Sequence, residues 1–84
     1  MYTKYYLRLK VEDKTGVLSK ITQFMSENNI SIDSFLQKPK QGETYSTLFF
    51  TTHHTFEKSI QNLLSILEKQ DFIKAKPFMM RIEE

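Results

Sequence analysis

Asp13-Lys14-Thr15-Gly16-Val17-Leu18 is where the chain changes period. Before it, Tyr5, Leu7, Leu9 and Val11 alternate with Tyr6, Arg8 and Lys10, the period of two expected of a strand. After it, Val17, Leu18, Ile21, Phe24 and Met25 form one stripe, while Ser19, Lys20, Gln23 and Glu27 face away, as on an amphipathic helix. A strand-to-helix turn leaves the first helical N–H groups without partners inside the helix. Those donors and the positive end of the helix dipole suit a carboxylate or phosphate. Gly16 removes a side chain at the tight point and lets another molecule approach the backbone. Thr15 is the expected N-cap, with Asp13 as an alternative cap or an outward acceptor. The same features also describe a well-capped turn with no ligand.

Working outward, Asn28-Asn29 closes the helix, because asparagine tolerates the left-handed residue of a C-cap. A second strand is expected over residues 30–37, with Ile30, Ile32, Ser34 and Leu36 on one face and Ser31, Asp33, Phe35 and Gln37 on the other. Pro39-Lys40-Gln41-Gly42 reads as a turn into a third strand over residues 43–52, paired antiparallel with the second. Thr52-His53-His54-Thr55 is a junction, with Thr55 the expected cap of a second helix. That helix carries Phe56, Ile60, Leu63, Leu64 and Leu67 on its apolar stripe and ends near Gln70. A last strand covers residues 72–82; Pro77 lacks a ladder donor, which places it at a sheet edge. The order β-α-β-β-α-β predicts an α+β, ferredoxin-like domain: a four-stranded antiparallel sheet with both helices on one face and the first and third strands central. On the helix-free face Tyr6, Phe35, Tyr45, Thr47 and Phe49 would form a patch suited to contact with another copy or with the rest of a larger protein.

Eighty-four residues allow one small domain. The net charge of +2 argues against nucleic acid or an anionic membrane as a partner. There is no cysteine, hence no disulfide and no thiolate metal site, and no apolar run spans a bilayer. The expected location is cytoplasmic. Adjacent His53 and His54 would diverge on an extended segment, so they do not read as a metal pair. The third strand, Thr44-Tyr45-Ser46-Thr47-Leu48-Phe49, lacks the glycine- and aromatic-rich run of RNA-recognition domains, although Tyr6 and Phe49 are placed to stack bases. No nucleophile-and-base arrangement is visible. The alternatives to a ligand-binding domain are thus a purely structural pairing module and, behind it, a single-stranded RNA binder.

With the loop placed after the first strand, Asp13-Lys14-Thr15-Gly16-Val17-Leu18 resembles the loop of the ACT regulatory domains, which carry Asp/Asn-x-Pro-Gly-Val/Leu-Leu there. Tyr5-Tyr6-Leu7-Arg8-Leu9, Ile30-Ser31-Ile32-Asp33-Ser34-Phe35-Leu36-Gln37, Thr52-His53 and Arg81-Ile82-Glu83 look like the branch at the C-terminus of bacterial homoserine dehydrogenase. Thr15 departs from the family's proline, so the turn is less fixed in advance. The resemblance implies a single regulatory domain over residues 1–84, the tail of a longer enzyme. It implies a small amino acid, threonine first, bound between two copies at Asp13, Lys14, Thr15, Gly16, Val17 and Leu18. Ser31 would reach the ligand from the paired domain, and Gln37 would read a ligand hydroxyl. It also implies that catalysis and NAD(P) belong to a preceding catalytic domain, which acts in threonine and methionine biosynthesis.

Overall fold

A computed structural model describes residues 1–83. In chain order the elements are β1 (Tyr2–Glu12), α1 (Val17–Glu27), β2 (Ile32–Pro39), β3 (Tyr45–Thr52), β4 (Thr55–Phe56), α2 (Glu57–Glu68) and β5 (Phe78–Ile82). The expected β-α-β-β-α-β order is present, with β4 as a two-residue addition. The sheet runs β2-β3-β1, and β4 and β5 share the far edge of β1; every pairing is antiparallel. β1 and β3 are therefore central and β5 lies at an edge, as expected, but the strand is confined to Phe78–Ile82 and begins just after Pro77.

The core lies between one face of the sheet and the two helices. Tyr5, Leu7, Leu9 and Val11 of β1 meet Leu48 and Phe50 of β3, and all six are buried. The helices add Val17, Ile21 and Met25 from α1 and Ile60, Leu63 and Leu67 from α2. Two buried threonines are satisfied locally. Thr52 Oγ1 accepts the Tyr5 N–H at 3.1 Å, and Thr55 Oγ1 donates to the Asn29 carbonyl at 3.4 Å.

The sequence-based caps at helix starts do not form. Gly16, at φ 91°, occupies the N-cap of α1, and no side chain caps it. Thr15 is exposed, and a positive φ at the N-cap leaves the preceding side chain out of line with the first turn. Thr55 lies in β4 instead of capping α2; the N-cap there is Phe56, again without a side-chain bond. Phe56 is 60% exposed and packs on Tyr2 with ring centroids 4.8 Å apart, so it leaves the apolar stripe of α2. The C-terminus of α1 does form as expected. Asn29 takes φ 60°, its N–H reaches Ser26 O at 3.0 Å, and the Ile30 N–H reaches Met25 O at 2.9 Å. These two bonds are the Schellman pattern, with buried Ile30 as its apolar lock.

The second strand departs from the expected phase. Ile32 faces Thr52, but Ser34 faces Thr51, so Asp33 is an extra residue in a bulge. Beyond it Phe35 pairs with Phe50 and Gln37 with Leu48, on the helix side of the sheet. Leu36 pairs with Phe49 on the open side. Phe35 is thus not part of the open face; Leu36 is. Asp33 itself turns to His53, with Nε2 at 3.7 Å.

The end of β1 is clamped by charge. Glu12 Oε1 lies 2.8 Å from Lys74 Nζ, and Oε2 lies 3.1 Å from Lys14 Nζ. The bond from Lys74, then that from Lys14, holds the Glu12 carboxyl below its ordinary value. A depressed carboxyl favours the folded state at pH above the ordinary glutamate range, and that contribution is lost as pH falls through the depressed value.

Two outcomes are expected. In an NMR titration Glu12 should protonate below the ordinary glutamate range, and Lys74→Ala should raise its midpoint more than Lys14→Ala does. In urea unfolding, Asn29→Val should destabilise by about 1–2 kcal/mol, because a β-branched residue resists the left-handed region, whereas Asn29→Gly should not destabilise.

Candidate functional site

Four residues, Asp13 to Gly16, join β1 to α1. The Asp13 N–H donates to Thr44 O at 2.9 Å, which ties the loop to the start of β3. The Val17 N–H reaches Lys14 O at 3.4 Å, and the Lys20 N–H reaches Gly16 O at 3.1 Å. Between them, the Leu18 and Ser19 amides have no backbone acceptor and no side-chain cap among the described residues. These donors point out of the positive end of an eleven-residue helix.

The loop divides two clefts. One is lined by Glu12, Asp13, Lys14, Val17, Leu18 and Gln37, with Ser46 and Leu48 at its floor. The other is lined by Lys14, Thr15, Gly16 and Lys20, facing Gln70 and Asp71. Of the residues singled out in the sequence, Asp13, Lys14, Val17, Leu18 and Gln37 are therefore brought together. Thr15 and Gly16 turn to the opposite side. Ser31 is not brought to the loop within one chain. It precedes β2, where its carbonyl accepts the His53 N–H at 2.9 Å, and six residue steps along the chain, at most roughly 20 Å, separate it from Gln37.

Gln37 is positioned by the bulge. Having been switched to the helix side, its Nε2 donates to Ser46 Oγ at 3.4 Å. Ser46 and Glu12 also line the cleft, and the sequence reading passed over both. Ser46 had a signal: it is the small polar member of the inward series Ser46, Leu48, Phe50 and Thr52. Gly16 also has a reason that lies within the chain itself. A Cβ built there meets nothing within 4 Å, so its positive φ, not crowding, calls for glycine.

The first cleft has a volume of about 40 Å³. By that measure one water needs about 10–15 Å³, so there is room for a few waters and in a single chain it is a notch. No trio of His, Cys, Asp and Glu among the described residues is placed to hold a metal ion. No described helix is long and apolar enough to cross a membrane.

Known proteins share this fold. The family model for the ACT domain matches residues 5–72. A homoserine dehydrogenase of Methylobacillus glycogenes is 38% identical over 81 residues, which are 95% of this chain and 20% of that protein. The Helicobacter pylori homoserine dehydrogenase is 39% identical over 79 residues, 94% of this chain and 19% of that protein. The crystal structure of a homoserine dehydrogenase from Thiobacillus denitrificans superposes with a TM-score of 0.88 at 31% identity, covering 100% of this chain and 18% of that one. The ACT domain of the Chlorobium tepidum GTP pyrophosphokinase has a TM-score of 0.75 at 18% identity, over 95% of this chain and 100% of that one, a likeness of fold. The chain spans about a fifth of the length of the curated relatives it matches. By fold, by the β1–α1 loop and by these matches, the chain belongs to the ACT domain family.

Proposed function

We propose that this domain binds a small amino acid, threonine first, and regulates a longer homoserine dehydrogenase polypeptide of which it forms a part. The observation that carries the proposal is the loop. Leu18, whose helix-start amide has no acceptor, lines the same cleft as the exposed Asp13, and the Ser19 amide follows it. The amides suit the ligand's carboxylate and Asp13 suits its ammonium, so a zwitterion fits better than a simple phosphate. Gln37, on the same cleft, offers an amide to a ligand hydroxyl. Lys14, Val17 and Leu18 complete the near wall, while Thr15 and Gly16 set the turn.

The notch is too small and too open to enclose an amino acid alone. A second copy of the domain, set against the β2 edge, would supply the missing wall, with its Ser31 as a donor to the ligand. Closing that interface around the ligand would favour one arrangement of the longer enzyme over another, a population shift. The enzyme's activity, interconversion of aspartate semialdehyde and homoserine with NAD(P), belongs to the remainder of the polypeptide. This chain has two glycines and cannot supply the three-glycine turn that cradles a dinucleotide. Its working place in this scheme is the cytoplasm.

Titration calorimetry with each proteinogenic amino acid tests the proposal. Threonine should bind, and Asp13→Ala should weaken it by roughly 1.5–3 kcal/mol, the range for a charged hydrogen bond. Equal affinity in wild type and in Asp13→Ala would move the site away from the loop. Sedimentation over micromolar concentrations should show self-association, with threonine affinity rising as dimer forms. A dimer that binds no amino acid at millimolar concentration would instead be a structural pairing module.

A further inference from the structure

The helix-free face of the sheet is uneven in charge. Register places Lys4, Arg8 and Lys10 of β1 and Lys38 of β2 on it. Lys76, in the segment leading into β5, joins Arg8, Lys10 and Phe78 around a hollow of about 240 Å³. Against these five cations the register-paired strand positions of the face carry one carboxylate among the described residues, Glu12; Asp33, in the bulge of β2, turns to His53. Both Glu12 oxygens are already held by the chain's own Lys14 and Lys74. The chain's near-neutral total hides this separation, because a sum discards position.

The middle of the face is apolar. Leu36 is 51% exposed, Met80 52% and Phe78 41%. Phe49 lies between Leu36 and Arg8 in the cross-strand row. The rings are partly taken: the Arg8 guanidinium sits 4.6 Å from the Phe78 centroid and the Lys10 ammonium 4.0 Å from that of Tyr45. Tyr6 meets Phe78 edge-on at 6.1 Å.

We propose that this face is a docking surface for an acidic protein surface, one with apolar side chains at its centre and carboxylates around them. Charge complementarity selects the occupant. Two copies packed face to face would set these cations against one another, and like charges at an interface cost several kcal/mol. The pairing of copies and this docking therefore use different parts of the domain. A nucleic acid is the other polyanion the face could meet, but it needs free ring faces for stacking. Here cations cover Phe78 and Tyr45, which leaves Tyr6 and Phe49 as the rings for stacking, and the most open side chains, Leu36 and Met80, carry no ring. These fit the apolar centre of a protein partner.

A soluble peptide alternating glutamate and leucine serves as the probe, followed by amide NMR shifts on the 84-residue chain. Shifts should gather on Tyr6, Arg8, Lys10, Phe49, Phe78 and Met80. Arg8→Glu combined with Lys10→Glu should weaken binding by about tenfold, as should roughly 0.5 M salt. The matched lysine–leucine peptide should not bind. Both substituted side chains lie on the helix-free face, and an unchanged circular dichroism spectrum confirms that the variant folds. Absence of shifts, shifts confined to another surface, or binding unaffected by the double reversal would overturn the proposal. So would tighter binding of poly-uridine than of the acidic peptide, or concentration-dependent shifts of the same residues in the chain alone, the mark of a face-to-face dimer.

Discussion

Tyr5, Leu7, Leu9 and Val11 are buried in the contact between sheet and helices, and they belong to one strand. β1 also makes the hydrogen bonds to β3, β4 and β5, so its alternation decides both the core and the order of the sheet. A strand in this position has no freedom of register. A slip of one residue would carry Arg8 and Lys10 into the helices and the four apolar side chains into water. The loop at the end of β1 inherits that rigidity. Glu12 is clamped from two sides and Asp13 is tied to Thr44, so the unpaired amides of α1 start from a fixed point.

The sequence was most legible where one local pattern has one physical solution. Period two in β1, period 3.6 in the helices, and an asparagine pair where a helix must turn left-handed each allow a single outcome. The helix caps were not legible. Thr15 and Thr55 are good capping residues by type, but Gly16 at positive φ and the β4 pairing to β1 place them outside capping geometry. The face of Phe35 was not legible either. Phe35 and Leu36 are adjacent and both apolar, so an inward position suits either, and only the bulge at Asp33 decides between them. The cleft suffered from the same ambiguity, because Gln37 reaches it only after that switch.

Two surfaces with different chemistry result. The notch at the β1–α1 loop is small, and carboxylates, a lysine and a glutamine amide line it. The broad face behind the sheet is cationic around an apolar middle. Net charge, summed over the chain, conceals the second because it discards position; the alternation of Arg8 and Lys10 with core residues preserves it. The ACT fold supplies the scaffold for both surfaces, and neither follows from the fold alone.

The bulge at Asp33 also divides the segment from Ile30 to Pro39 into two parts. Ahead of it, Ile30 and Ile32 pack inward with the end of α1; beyond it, every side chain has exchanged sides. Because the exchange hangs on one residue held by His53, loss or gain of a single codon there would swap which side chains serve the notch and which serve the broad face. The inward half would keep its packing. Length variation at this point is thus a way for related chains to re-specify an entire strand of their surface without redesigning the interior.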